Sequence, residues 1–169
     1  MLALVISGAL LVLLGGTTKI FKPNESANAL RTMKLSISPF AVRLLAMFEV
    51  IIAVGFLIYS SRVFSGLLAG SFLCFSIFIS VALYKKIPIS SCGCFGEADS
   101  QPSRVHVLID LMFTGVFTTQ FFQRHDETLY RAFQGQLEGG LTNLVQALVI
   151  CLLSYLVLSQ LPRVRAYMG

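Results

Sequence analysis

Five long apolar runs dominate this chain of 169 residues and restrict it to one kind of fold. The runs cover residues 2–18, 40–59, 63–84, 105–122 and 141–161. Each is close to the roughly 20 residues that a helix needs to cross about 30 Å of hydrocarbon. None shows the alternation of polar and apolar residues that marks a membrane barrel. The sequence therefore predicts an all-α, polytopic transmembrane helical bundle, with residues 1–169 forming a single integral membrane domain.

The charge content agrees with a membrane protein. Only 12% of the residues are charged, against roughly 25% in soluble domains. In such a chain the net charge of +5 reports orientation and contact with membrane lipids, so it does not indicate nucleic-acid binding. The first run follows no basic residue and contains no convincing small-x-small cleavage site. We therefore expect a retained span, the shortest of the five, rather than a signal peptide.

Two connections, residues 19–39 and 124–140, are long enough to hold a short amphipathic helix in the plane of the interface. In the first connection, Asn24 or Ser26 is the expected N-cap. In the second, the Gly139-Gly140 pair is expected to end the helix.

The basic residues divide unequally between the two membrane faces. One face carries Lys19, Lys22, Arg31, Lys34, Arg43, Lys85, Lys86, Arg104, Arg163 and Arg165. The other carries Arg62, Arg124 and Arg131. Because basic residues concentrate in cytoplasmic connections, the first face is predicted to be cytoplasmic. For a bacterial cytoplasmic (inner) membrane, this places the N-terminus outside, the C-terminus inside, and the connection between the third and fourth spans in the cytoplasm.

That connection carries the sequence Cys92-Gly93-Cys94-Phe95-Gly96. Two thiols one residue apart can close a disulfide in a small ring, and Gly93 can adopt the backbone angles that this ring requires. Such a bond is strained, and strained, exposed disulfides are the labile or catalytic ones. The sequence therefore predicts Cys92 and Cys94 as the catalytic pair of a thiol–disulfide exchange, with Phe95 and Gly96 completing the motif loop.

Two other interpretations of the loop remain open. The cysteines could form an inert structural disulfide, or they could bind zinc or an iron–sulfur cluster with His106 as a third ligand. Zinc usually takes four ligands and the commoner spacing is Cys-x-x-Cys, so no metal is predicted. Cys74 and Cys151 lie inside spans and are expected to be packing residues, although the sequence leaves open whether they pair.

Two acidic residues fall inside spans, where ionisable groups usually pair with one another or act in function. Glu49 lies about 14 Å into the second span at 1.5 Å per residue. Asp110 lies about one and a half turns into the fourth. Lys19 and Arg43 are the expected cationic partners.

His106 precedes Asp110 by four residues, so both lie on one helix face. This makes His106 a candidate proton donor for a leaving thiolate, with Asp110 fixing its tautomer. The alternative is structural. His106 then has no special duty, and Glu49, Asp110, Lys19 and Arg104 form ion pairs that fix the helix register.

These residues together resemble a known family. Lys19 closes span one, Glu49 lies inside span two, the Cys-Gly-Cys-Phe-Gly string follows span three, and Arg104 and Asp110 open the next span. Over about residues 10–160 the chain resembles the MauE-like members of the MauE/DoxX membrane superfamily.

The resemblance implies a four-helix membrane core and thiol–disulfide chemistry beside a thioredoxin-like protein. It also implies a role in maturing a disulfide-containing exported protein. A more distant resemblance is to the quinone-linked bundles of the vitamin K epoxide reductase type. Those use Cys-x-x-Cys, which is absent here, so we expect no required cofactor and find no sequence support for a quinone.

The predicted function is therefore a membrane thiol–disulfide oxidoreductase that exchanges disulfides or electrons with such partners. The family role suggests chemistry outside the cytoplasm, whereas the charge count, which we follow, places the loop inside. One alternative is a non-enzymatic small subunit that scaffolds a larger membrane complex and carries a structural disulfide. Another is a transporter built around Glu49 and Lys19, which is disfavoured because no span is broken by paired Gly and Pro.

Overall fold

The computed structural model describes residues 2–33, 35, 37–59, 61–85, 103–123 and 137–168, with side chains of the last helix described over residues 140–158. Within these ranges the chain forms six helices and no strand. They are α1 (Leu2–Phe21), α2 (Pro23–Thr32), α3 (Pro39–Tyr59), α4 (Arg62–Tyr84), α5 (Arg104–Phe122) and α6 (Leu137–Met168). All except α2 contain a window long and apolar enough to cross a membrane. The predicted all-α bundle with five spans is confirmed, and the chain is a multi-pass membrane protein.

Helix α1 is the central helix of the bundle. It contacts α2, α3, α5 and α6, and 56% of its spanning window is buried, compared with 17–33% for the other four spans. Glycines allow this close packing: a Cβ atom on Gly8 would lie 2.7 Å from the Phe117 ring, and one on Gly16 would lie 2.8 Å from Val50. Small residues at helix contacts are the usual means of bringing membrane helices together. The run that looked shortest in the sequence is therefore the one most enclosed by protein.

Stacked phenylalanines join α3, α4 and α5 beside α1. The Phe72 ring stacks on Phe113 and Phe117 with centroid distances of 5.1 and 5.7 Å, and Phe56 meets Phe117 edge-on at 5.4 Å. Offset stacking and edge-to-face contact are the favoured aromatic geometries. This cluster explains part of the high Phe content of the chain, whereas many other large apolar side chains lie on the outer faces, where a bilayer would cover them.

The connectivity places several helix termini at one end of the bundle. Helix α4 begins three residues after the last residue of α3, with Ser61 as its N-cap, and it packs along α5 as an antiparallel pair. The end where α1, α4 and α6 finish and α3 and α5 begin is called the loop end below. Helix α2 closes it: its Ala29 packs with Ala82 of α4, and its Ala27 is also buried.

Two expectations about the connections are wrong. Helix α2 begins at Pro23, with Lys22 as an N-cap that makes no side-chain hydrogen bond; Pro at the first helical position supplies the required φ angle, so neither Asn24 nor Ser26 is needed as a cap. The Gly139-Gly140 pair lies inside the first turns of α6 instead of ending a preceding helix. The rest of that proposed helix, residues 124–136, lies outside the described residues.

Candidate functional site

A buried ion pair joins the central helix to α3. The Lys19 Nζ lies 2.9 Å from Glu49 Oε2 and donates a second hydrogen bond to Oε1 at 3.1 Å. The two side chains are only 8% and 5% exposed. Nζ also lies 4.2 Å from the centroid of the Phe75 ring of α4, within the range of a cation–π contact. The expected pairing of Glu49 with Lys19 is confirmed, and Lys19 itself lies within α1, which continues to Phe21 beyond the predicted span end at residue 18.

The other expected cation has a different partner. Arg43 is exposed, and its Nε donates to the backbone carbonyl of Ile20 at 3.3 Å. This contact ties the first turns of α3 to the end of α1. The ion pair and the arginine contact therefore fix the same two helices at two depths.

A small cavity of about 30 Å³ borders the ion pair, and all five spanning helices contribute to its wall. Lys19, Glu49 and Asp110 are the ionisable groups of the wall. The other lining residues are Leu11, Val12, Gly15, Phe72, Phe75, Ile109 and Leu158. The structure thus brings three of the predicted supporting residues to one cavity inside the membrane region.

The start of α5 holds the remaining supporting residues. His106 is only 2% exposed. Its Nδ1 lies 2.8 Å from the Ser103 hydroxyl, so Ser103, rather than Asp110, is the observed partner of this nitrogen. Its Nε2 is buried and has no hydrogen-bond partner among the described residues. Asp110 is buried one turn further along the same face, and Arg104 is exposed.

Sequence reasoning missed two of these contacts. Ser103 precedes His106 by three residues, a spacing that brings the two side chains together at a helix start, so the signal was present in the sequence. Phe75 is one of 14 phenylalanines and had no distinguishing signal.

The cysteine motif itself, residues 92–96, lies outside the described residues. Its attachment points are described: the chain leaves α4 at Lys85 and re-enters at Ser103, immediately before α5. Both points are at the loop end, where Lys19 lies in the last turn of α1 and His106 in the first turn of α5. The connection that carries Cys92 and Cys94 therefore ends at Ser103, whose hydroxyl lies 2.8 Å from Nδ1 of the buried His106.

Cys74 and Cys151 do not form a disulfide with each other. Both are free; Cys74 is exposed on α4, and Cys151 is buried in the core of α6. Cys151 packs in the same apolar cluster as Phe113 and Phe117, which fits the expected packing role. Among the described residues, no three His, Cys, Asp or Glu side chains are grouped so that they could hold a metal ion. The metal alternative for Cys92, Cys94 and His106 involves undescribed residues and is not tested by this observation.

These features define a class: a multi-pass helical membrane protein with a buried ion pair and a cysteine-bearing connection at one end of the bundle. The family model for methylamine utilisation protein MauE matches residues 1–122, and the chain belongs to this family. The matched region ends with α5, so α6 lies beyond it, although the resemblance in the sequence was expected to extend to about residue 160. No curated protein and no solved structure gave a significant match.

Proposed function

We propose that this protein is a membrane thiol–disulfide oxidoreductase in which Cys92 and Cys94 exchange disulfides or electrons with a partner protein. The observation that carries the proposal is the attachment of the Cys92-Gly93-Cys94 connection at Lys85 and Ser103, at the end of the bundle that buries His106. A partner protein would approach this connection at the loop end, since both of its attachment points lie there.

The exchange proceeds through a mixed disulfide. One cysteine thiolate attacks a sulfur of the partner's disulfide, and the partner's second sulfur leaves as a thiolate. The other cysteine then attacks the mixed disulfide, closing the Cys92–Cys94 bond and releasing the reduced partner. Two electrons and two protons pass from the loop dithiol to the partner, and the reverse sequence oxidises the partner instead. No cofactor is needed for either direction.

His106 is the described residue best suited to handle a proton in this exchange. Its Nδ1 is occupied by the Ser103 hydroxyl, while its buried Nε2 has no partner among the described residues. An imidazole held in this way can give a proton to a leaving thiolate or take one from an attacking thiol. Lys19 and Glu49 have a supporting role, because they hold α1 against α3 at the end where the loop is attached.

The chemistry points to two kinds of partner. A thioredoxin-like protein is the natural dithiol or disulfide donor, and a disulfide-containing exported protein is the natural recipient. The cytoplasmic placement of the loop is supported by the exposed basic residues of the described chain. At the loop end these are Lys22, Arg31, Arg43, Lys85 and Arg104, and at the other end Arg62.

The test is capture of a mixed disulfide. A thioredoxin-like protein in its disulfide form is added to membranes that carry the reduced protein, free thiols are then blocked with N-ethylmaleimide, and covalent adducts are resolved without reductant. We expect Cys92→Ser or Cys94→Ser to leave one cysteine that accumulates the adduct, and the double variant to form none. Cys74→Ser is the matched control. It removes a thiol from α4, the helix that precedes the cysteine connection, and should leave capture unchanged.

The rival functions give different results. If the double variant is still captured, thiol exchange does not use this loop and the mechanism is wrong. If it loses stability or assembly while the wild type forms no adduct, a structural disulfide in a scaffolding subunit explains the motif. Labelling of Cys92 and Cys94 in intact cells by a membrane-impermeant maleimide, after mild reduction, would place the loop outside and overturn its cytoplasmic orientation.

A further inference from the structure

Two exposed basic residues lie at the loop end, where α1 finishes and α3 begins. The Arg43 Nε donates a hydrogen bond to the backbone carbonyl of Ile20 at 3.3 Å, and Lys22 follows Ile20 by two residues. Both basic side chains are exposed. A guanidinium has five N–H donors in a planar fork, and the Ile20 carbonyl accepts one of them. Arg43 is therefore held in place while its outer donors remain open to a group that approaches from outside the protein.

The positive charge at this junction is poorly compensated. Among the described residues, Arg43 has no acidic side chain within ion-pair distance. Lys22 has one, Glu25, but at 4.0 Å this contact is at the limit of an ion pair, and pairs that are open to solvent contribute little. The junction therefore favours an anionic ligand. Phosphate is the anion whose oxygens best match the fork of an arginine side chain.

An apolar face of α3 runs from this junction into the membrane region. Its large side chains are all exposed and recur at helical spacing: Phe40, Leu44, Met47, Phe48 and Ile51. Arg43 lies three residues after Phe40 and four before Met47, so it belongs to the same side of the helix. From Phe40 to Ile51 the helix rises about 17 Å at 1.5 Å per residue. This is close to half of the roughly 30 Å of hydrocarbon in a bilayer, which is the depth that one acyl chain covers.

We propose that the junction of α1 and α3 binds an anionic phospholipid, with the phosphate on Arg43 and Lys22 and an acyl chain along the apolar face of α3. A free phosphate ion or an acidic soluble protein would meet the two cations but not the apolar face, so a lipid is the ligand that uses both. A lipid with a net negative charge is preferred, because a zwitterionic headgroup brings its own cation towards the two basic residues. Basic residues between membrane helices are a known type of site for anionic headgroups. The inference does not rest on the loop cysteines or on the proposed redox function.

The test is photolabelling with competition. The protein is reconstituted into phosphatidylcholine vesicles that contain a trace of phosphatidylglycerol with a diazirine on its acyl chain, and labelled residues are identified by mass spectrometry. We expect label on residues 40–51 in spite of the excess phosphatidylcholine, and we expect unlabelled phosphatidylglycerol, but not inorganic phosphate, to displace it. Displacement by inorganic phosphate would indicate a site for the free ion. Label spread evenly over the exposed helix faces would indicate general lipid contact; either result overturns the proposal.

Charge-neutralising variants show whether the two basic residues hold the headgroup. We expect Arg43→Gln and Lys22→Gln each to weaken the apparent affinity for phosphatidylglycerol about fivefold, the factor expected from one basic residue near an anionic membrane surface. Arg43→Lys keeps the charge without the fork and should lie between the wild type and Arg43→Gln. Arg62→Gln is the matched control, because Arg62 is an exposed arginine at the opposite end of the bundle.

Lys22→Gln keeps the proposal testable even if Arg43→Gln loosens the helices. The Lys22 side chain takes no part in the hydrogen bond between Arg43 and Ile20, so its loss leaves the contact between α1 and α3 in place. If Lys22→Gln weakens the affinity for phosphatidylglycerol no more than Arg62→Gln does, the junction does not recognise the lipid charge and the proposal is wrong.

Discussion

Removing one member of the Lys19–Glu49 pair should destabilise the protein far more than removing both. In Lys19→Met, the Glu49 carboxylate stays in a site where its side chain is 5% exposed and loses both hydrogen bonds from the ammonium. Breaking a buried pair in this way costs about 3–5 kcal/mol, because an uncompensated charge remains inside. The double variant Lys19→Met with Glu49→Leu leaves no charge, and replacement of a buried pair by apolar residues of similar volume is often neutral or stabilising.

The assay is equilibrium unfolding in mixed micelles, analysed as a double-mutant cycle. We expect a coupling energy of at least about 2 kcal/mol between the two positions, since residues in direct contact are strongly non-additive. The chain offers a matched control in Lys22 and Glu25, an exposed pair at 4.0 Å. Lys22→Met should cost less than about 1 kcal/mol. If Lys19→Met costs no more than Lys22→Met, or if the single effects add in the double variant, the pair is not a desolvated ion pair and the reasoning fails.

Two further predictions concern packing. Gly8→Ala should cost about 1–3 kcal/mol in the same unfolding assay, because its Cβ atom would lie 2.7 Å from the Phe117 ring, whereas Gly70→Ala, with nothing within 4 Å, should be neutral or slightly stabilising. Equal effects of the two substitutions would contradict the close packing of α1. In detergent, N-ethylmaleimide should modify the exposed Cys74 faster than the buried Cys151, and the difference should vanish after unfolding. Comparable rates in the folded protein would show that Cys151 is not enclosed.

The five spans could be read from the sequence with errors of only a few residues. A backbone in hydrocarbon must satisfy its own hydrogen bonds, so a long apolar run has almost no alternative to a helix. It was also predictable that Glu49 pairs with a basic residue, because a charge inside a membrane protein needs a partner. The choice between Lys19 and Arg43 was not predictable. Lys19 lies at the end of the first span and Arg43 at the start of the second, so both lie at the same face of the membrane. The partner of His106 was predicted wrongly for a related reason: one helix face offered both Ser103 and Asp110.

The sequence by itself determined the helical class, the number of spans and the family. The tertiary structure decided that α1 is the central helix and that the ion pair and Asp110 share one cavity. The physical reason is that lipid tails and a protein interior are equally apolar. Hydrophobicity therefore marks which segments enter the membrane but not which of their faces are turned inward. That choice depends on small residues, such as Gly8 and Gly16, and on buried charges, whose contacts become visible only when the helices are packed together.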